Sequence, residues 1–153
     1  MPIYLILAGL VLWGVLIPFQ APPPNDRVIF QNKTTITARI GSTSYNLEIA
    51  DSTRKRGQGL SWRGALPADQ GMLFLFDQPG RYEFIMDGMR FPLDFIWLNN
   101  GLVVDLKENV PPLKANQPSI NFTAKNNFDQ AIELNAGEIK KNGLKPGDRI
   151  AYF

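Results

Sequence analysis

The hydrophobic pattern divides the chain into two unlike parts. Residues 3–19, IYLILAGLVLWGVLIPF, form a seventeen-residue run without a charge and without a polar face. As a helix it would be about 25 Å long, near the lower limit for crossing a bilayer. A buried core helix would fit poorly, because the run is followed at once by QAPPPND. From Lys33 onward the pattern changes to short β-rich segments. In SYNLEIA, Tyr45, Leu47 and Ile49 alternate with Asn46 and Glu48, the period of a half-buried strand. With TTITARI before it, across GSTS, this predicts a hairpin. Asp51 or Ser52 is placed to cap a short helix through TRKRGQG, whose length Gly57 and Gly59 limit.

Further along, GMLFLF (71–76), RYEFIM (81–86), PLDFIWL (92–98) and LVVDLKE (102–108) read as a meander of antiparallel strands. The turns DQPG and NNG separate them, and Asn100-Gly101 is the strongest hairpin signal, since both residues tolerate positive φ. Residues 110–127, polar and proline-bearing, predict a long surface excursion. FDQAIEL predicts a strand, NAGEIKKNG a two-turn helix closed at Gly143, LKPGD a type II turn and RIAYF a last strand. The expected fold is α+β and mainly β: a small curled or barrel-like antiparallel sheet with two short helices, preceded by one N-terminal membrane helix.

Organisation follows from these elements. Residues 1–21 are an N-terminal anchor or signal segment, 22–32 a stiff proline-bearing linker, and 33–153 one β-rich domain. Retention is favoured over cleavage, because no basic residue precedes the apolar run and FQA is followed by three prolines. The expected location is the membrane, single-pass, with an extracytoplasmic domain; Arg27 and Lys33 oppose that orientation, but long domains are often translocated despite such charges.

Composition narrows the chemistry. The chain has 153 residues with no Cys and no His, so a Ser-His-Asp triad, a Cys-His dyad, a dithiol centre and a zinc site of the usual ligands are closed. No metal site and no cofactor are expected. The net charge of +2, from 16 basic and 14 acidic residues, gives no reason to expect nucleic acid as a partner. The triplet Arg54-Lys55-Arg56 reads as a solvated helix face. Met72, Met86 and Met89 read first as core packing, and the aromatics Trp62 and Tyr82 likewise, with a sugar-binding face as the sharper alternative.

One residue breaks the hydrophobic pattern. Asp94 lies in PLDFIWL, where Asp94, Ile96 and Leu98 share one face and Leu93, Phe95 and Trp97 the other. A strand apolar on both faces is buried on both sides, and a carboxylate there needs a partner. The expectation is a buried ion pair with Arg56 or Arg63, or a carboxylate that accepts turn N–H groups beside Pro92; the first is preferred.

The order of motifs LEIADSTRKRGQGL-SWR, GMLFLF, FIMDGMRFPLDFIWLNNGLVVDL and ELNAGEIKKNGLKPGDRI resembles, over residues 44–153, the domain-of-unknown-function family 192, small prokaryotic proteins that are often exported or membrane-anchored. The resemblance implies a compact β-rich fold and no established reaction. The family's arginine before Gly-Leu corresponds to Arg56, with Gly59 and Leu60, and the following arginine to Arg63. Its Gly-Met-Leu-Phe motif is 71–74, its aromatic-X-Met methionine is Met86, and its Pro-Leu-Asp motif is Pro92, Leu93 and Asp94. The chain departs at Ser61, Ile85 and Asp87, where many members carry methionine, tryptophan and lysine; a ligand site using those residues would be altered.

Two functions remain. The first is a non-enzymatic, membrane-tethered binding or accessory domain of the cell envelope, with an envelope protein or glycan as partner, for which Arg56, Arg63 and Asp94 form the candidate polar cluster and Trp62 and Met86 the surface near it. The second is a carboxylate-dependent hydrolase acting on envelope glycan, with Asp94 working beside Glu83, Asp87 or Glu133; it needs two acids roughly 5 to 10 Å apart in one cleft.

Overall fold

The structure is a computed structural model that describes residues 30–153. The expected N-terminal helix and most of the linker lie outside the described residues. Among the described residues no helix is long and apolar enough to cross a membrane.

Seven strands build one sheet: β1 (Thr35–Ile40), β2 (Thr43–Ala50), β3 (Gln70–Gly80), β4 (Leu93–Asn99), β5 (Leu102–Val110), β6 (Phe128–Asn135) and β7 (Ala151–Tyr152), in the order β5-β4-β6-β3-β2-β1-β7. Two short helices accompany them, α1 (Thr53–Gln58) and α2 (Glu138–Asn142). The hairpin of β1 and β2 is as expected, with Thr35 opposite Glu48 and Ile40 opposite Thr43. Ser52 caps α1 by accepting from the Lys55 N–H, and Gly143 closes α2 in the left-handed conformation at φ 60°.

The expected meander is overturned in three places. Residues 81–86 are not a strand; Phe84 makes one isolated bridge to Phe122, so RYEFIM and the long excursion hold each other across the sheet. β6 enters between β3 and β4, and only β4 and β5 remain a sequential hairpin in this region. Finally β2 and β3 are parallel, with Asn46 beside Gln70 and Ala50 beside Phe74. Parallel neighbours need a crossover of about a dozen residues or more, and the stretch carrying α1 and residues 59–69 supplies it. Local alternation identifies a strand but not its neighbour, because neighbour choice is settled by which apolar faces can be buried together.

The sheet curls until its ends meet. Leu102 in β5 bridges Arg149, the Val103 N–H donates to Asp148 O (2.9 Å), and the Ile150 N–H donates to Gly101 O (3.1 Å). Inside the curl lies one apolar cluster, including Ile36, Leu47, Leu73, Ile96, Ile132 and Ile150. Outside it, a second cluster including Phe74, Phe84, Leu93, Phe95, Trp97 and Phe128 packs under residues 81–92 and 111–127. β4 is therefore buried on both sides throughout Leu93–Leu98. At Gly71 the strands approach closely: a Cβ there would lie 2.5 Å from Glu133 O and 2.8 Å from a Leu47 methyl. This is a physical reason for glycine at the head of Gly-Met-Leu-Phe.

Candidate functional site: a cleft with a buried carboxyl at its base

The outer face of the sheet carries a cleft of about 520 Å³, within the usual range for ligand pockets. One wall is residues 56–62, leaving α1, and the other is formed by residues 83–89; Phe74, Leu93 and Glu133 form the base. Two hydrogen bonds tie the walls together at one end. The Trp62 N–H donates to Gly88 O (2.8 Å), and the Ser61 hydroxyl donates to Asp87 O (2.8 Å).

Trp62 is the lip of this cleft. Its backbone has φ 69° and its side chain is 73% exposed, the most exposed of the large apolar side chains among the described residues. Part of the indole rests against Gly88, where φ is 71° and an added Cβ would sit 2.8 Å from the ring. Only glycine gives both the positive φ and the room. Arg56 lies in the same cleft, with its guanidinium donating to Leu75 O (2.8 Å) and centred 5.3 Å from the Phe76 ring. Tyr82 stacks on Phe76 at 3.9 Å, so both faces of that ring are covered.

At the base is Glu133, 6% exposed. It occupies β6 directly between Met72 of β3 and Phe95 of β4, the residues opposite it on either side. Its neighbours Ile132 and Leu134 point into the curl, which turns Glu133 to the outer face. No hydrogen bond or ion pair reaches its carboxyl among the described residues. Burial pushes its pKa up to about 8, an effect that the positive charge of Arg63 only partly offsets. At neutral pH the group is therefore chiefly the uncharged acid, able both to donate and to accept. Glu83 and Asp87 also line the cleft, but both are exposed, and Glu83 accepts from the Asn121 amide (2.8 Å).

The residues singled out in the sequence do not assemble as one cluster. Asp94 is fully buried, as its pattern required, but it does not meet an arginine. The Asn109 N–H donates to its Oδ1 (2.7 Å) and the Ile139 N–H to its Oδ2 (2.8 Å). Asp94 thus ties the start of β4 to the end of β5 and to the first turn of α2. The expected ion pair is replaced by backbone donors, which satisfy a buried carboxylate without also burying a cation. Arg63 instead holds Glu48 through two bonds, 2.5 and 2.8 Å, and lines a separate shallow groove with it. Arg56 and Trp62 do share the cleft. Met86, expected on the surface beside it, is 3% exposed and belongs to the outer core; its place among aromatic rings buries it. Glu133 had entered only as a possible second acid for Asp94, yet the two lie on opposite faces of the sheet. The signal for Glu133 was the same as for Asp94: a carboxylate within a run, AIEL, otherwise built for burial.

A family model described as "Uncharacterized ACR" matches residues 34–152. The chain belongs to the DUF192 family. Two solved structures resemble this DUF192 chain. One, from Sinorhizobium meliloti 1021 and described as a candidate transcription regulator, is 27% identical with a TM-score of 0.68, covering 77% of this chain and 92% of its own. The other, a protein of unknown function from Novosphingobium aromaticivorans DSM 12444, is 26% identical with a TM-score of 0.66, covering 76% of this chain and 83% of its own. No curated protein matches the chain.

Proposed function

We propose that this DUF192 protein is a membrane-tethered, non-enzymatic binding domain of the cell envelope whose ligand seats in the cleft between residues 56–62 and 83–89. The observation that carries this reading is Glu133, a buried carboxyl without a partner that opens onto a preformed cleft. A fold keeps an unsatisfied buried acid at a cost in stability, and a ligand that pairs with it recovers that cost on binding. Tethering rests on the uncharged run at residues 3–19.

The binding reading is preferred over hydrolysis because Asp94, the acid around which a hydrolase was conceived, has both oxygens bonded to backbone N–H groups on the far face of the sheet. A role in transcription, suggested by the description of the Sinorhizobium protein, is not preferred. Among the described residues the longest helix has six residues, too short to serve as a recognition helix in a major groove.

The test has two arms. Full-length protein should remain with membranes after carbonate extraction, and release into the soluble fraction at a processed size would refute tethering. Proton-detected NMR of the full chain against a mixed fragment library of sugars, amines, carboxylic acids and short peptides should place hits at Trp62 and around Glu133. Hits confined to other surfaces, or turnover that requires Glu133, would overturn the binding reading.

A further inference from the structure

We infer that the ligand of this cleft is a neutral saccharide chain, with one pyranose ring stacked on the open face of Trp62 and a hydroxyl of the chain bonded to the Glu133 carboxyl. The inference rests on the cleft being the binding site and names what fills it.

Each wall eliminates a ligand class. An acyl chain or an apolar peptide side chain would fill the base but leave the Glu133 acid unpaired in a water-excluded position. An anionic ligand would meet Glu83 and Asp87 on the wall. A quaternary ammonium or a polyamine needs several aromatic faces around the charge, and the cleft offers few. Phe76 is covered by the Arg56 guanidinium at 5.3 Å on one side and by Tyr82 at 3.9 Å on the other. Phe74 and Phe84 are 3% and 7% exposed. That leaves Trp62, a single exposed plate, and Arg56 adds a positive charge that repels cations.

A sugar satisfies what remains. Its C–H face lies flat on one aromatic plate, as an amphipathic ring presents an apolar face and a polar edge. Its hydroxyls are donors and acceptors at once, and so is the protonated carboxyl at the base. Gln58, Asn121 and Glu83 on the walls supply planar amide and carboxylate groups for further hydroxyl pairs. The plate is already in place, because the Trp62 and Ser61 bonds to residues 88 and 87 fix it without a ligand, so little ordering cost opposes binding. The cleft volume of about 520 Å³ suits a short oligosaccharide.

The experiment titrates full-length protein in a zwitterionic, sugar-free detergent with β-1,4-linked glucose and N-acetylglucosamine oligomers of two to four rings. Choline and spermidine serve as cationic comparisons. The expected result is saturable binding of at least one oligomer, weakened at least ten-fold by Trp62→Ala and by Glu133→Leu and only two- to three-fold by Glu133→Gln, which still donates and accepts. Trp62 is exposed, so its variant retains the fold, and melting curves confirm this for each protein. Binding of choline or spermidine at the cleft with no sugar binding, and with Glu133→Gln as damaging as Glu133→Leu, would overturn the saccharide inference while leaving a binding cleft. Sugar binding indifferent to Trp62→Ala, or no binding of any oligomer, would also overturn it. The fragment screen separately decides whether the cleft binds anything.

Discussion

Replacing Glu133 by Gln changes one atom in a site with almost no contact with water, and its effect should depend steeply on pH. The folded carboxyl holds its proton up to about 8, against an ordinary value of 4.5. Between those values the folded state carries a proton that the unfolded state releases, so stability falls as pH rises through this window and is not diminished below it. Each pH unit within the window costs about 1.36 kcal/mol. From pH 5 to pH 9 the native protein should therefore lose on the order of 3 to 4 kcal/mol through this group alone. Glu133→Gln has no proton to lose, keeps nearly the same volume and is spared that loss. The assay is urea unfolding of both proteins at matched pH values, with the two stability curves subtracted so that every other titrating group cancels. The difference should be small at pH 5 and grow to roughly 3 to 4 kcal/mol in favour of the variant by pH 9. A flat difference would refute the reasoning, because it would mean that water or a counter-charge reaches the carboxyl and that the base of the cleft is not dry.

Three further outcomes are expected. Asp94→Ala leaves two buried N–H groups without an acceptor and should cost on the order of 3 kcal/mol by urea midpoint, Asp94→Asn about half of that, and either should add to Arg63→Ala within about 0.5 kcal/mol, since the residues share no bond. Gly88→Ala forces a Cβ to 2.8 Å from the Trp62 ring at φ 71°; it should destabilise by about 1 to 2 kcal/mol and alter acrylamide quenching of Trp62 emission. Arg63→Met removes the one positive charge that opposes the upward push on Glu133, so the Glu133 midpoint by carboxyl NMR titration should move higher still. The lost pairing with Glu48, whose pKa the Arg63 bond lowers, should itself cost no more than about 1 kcal/mol, since both partners are part-exposed.

The sequence by itself determined what depends on neighbours along the chain. The alternation of Tyr45, Leu47 and Ile49 identified β2, Asn100-Gly101 marked the β4–β5 turn, Ser52 and Gly143 bounded the helices, and the unbroken burial of β4 was legible from apolar residues at both parities. That Asp94 had to be buried and satisfied was also legible, as was the family. What only the tertiary structure decided is which groups meet across long loops. β6 enters the sheet between β3 and β4, and that placement carries Glu133 to the base of a cleft whose walls come from residues 56–62 and 83–89. The donors to Asp94 come from residues 109 and 139, backbone groups that every residue but proline possesses and that no side-chain pattern advertises. An arginine is visible in a sequence and an N–H is not, which is why the charge pair was expected and the backbone pair was found.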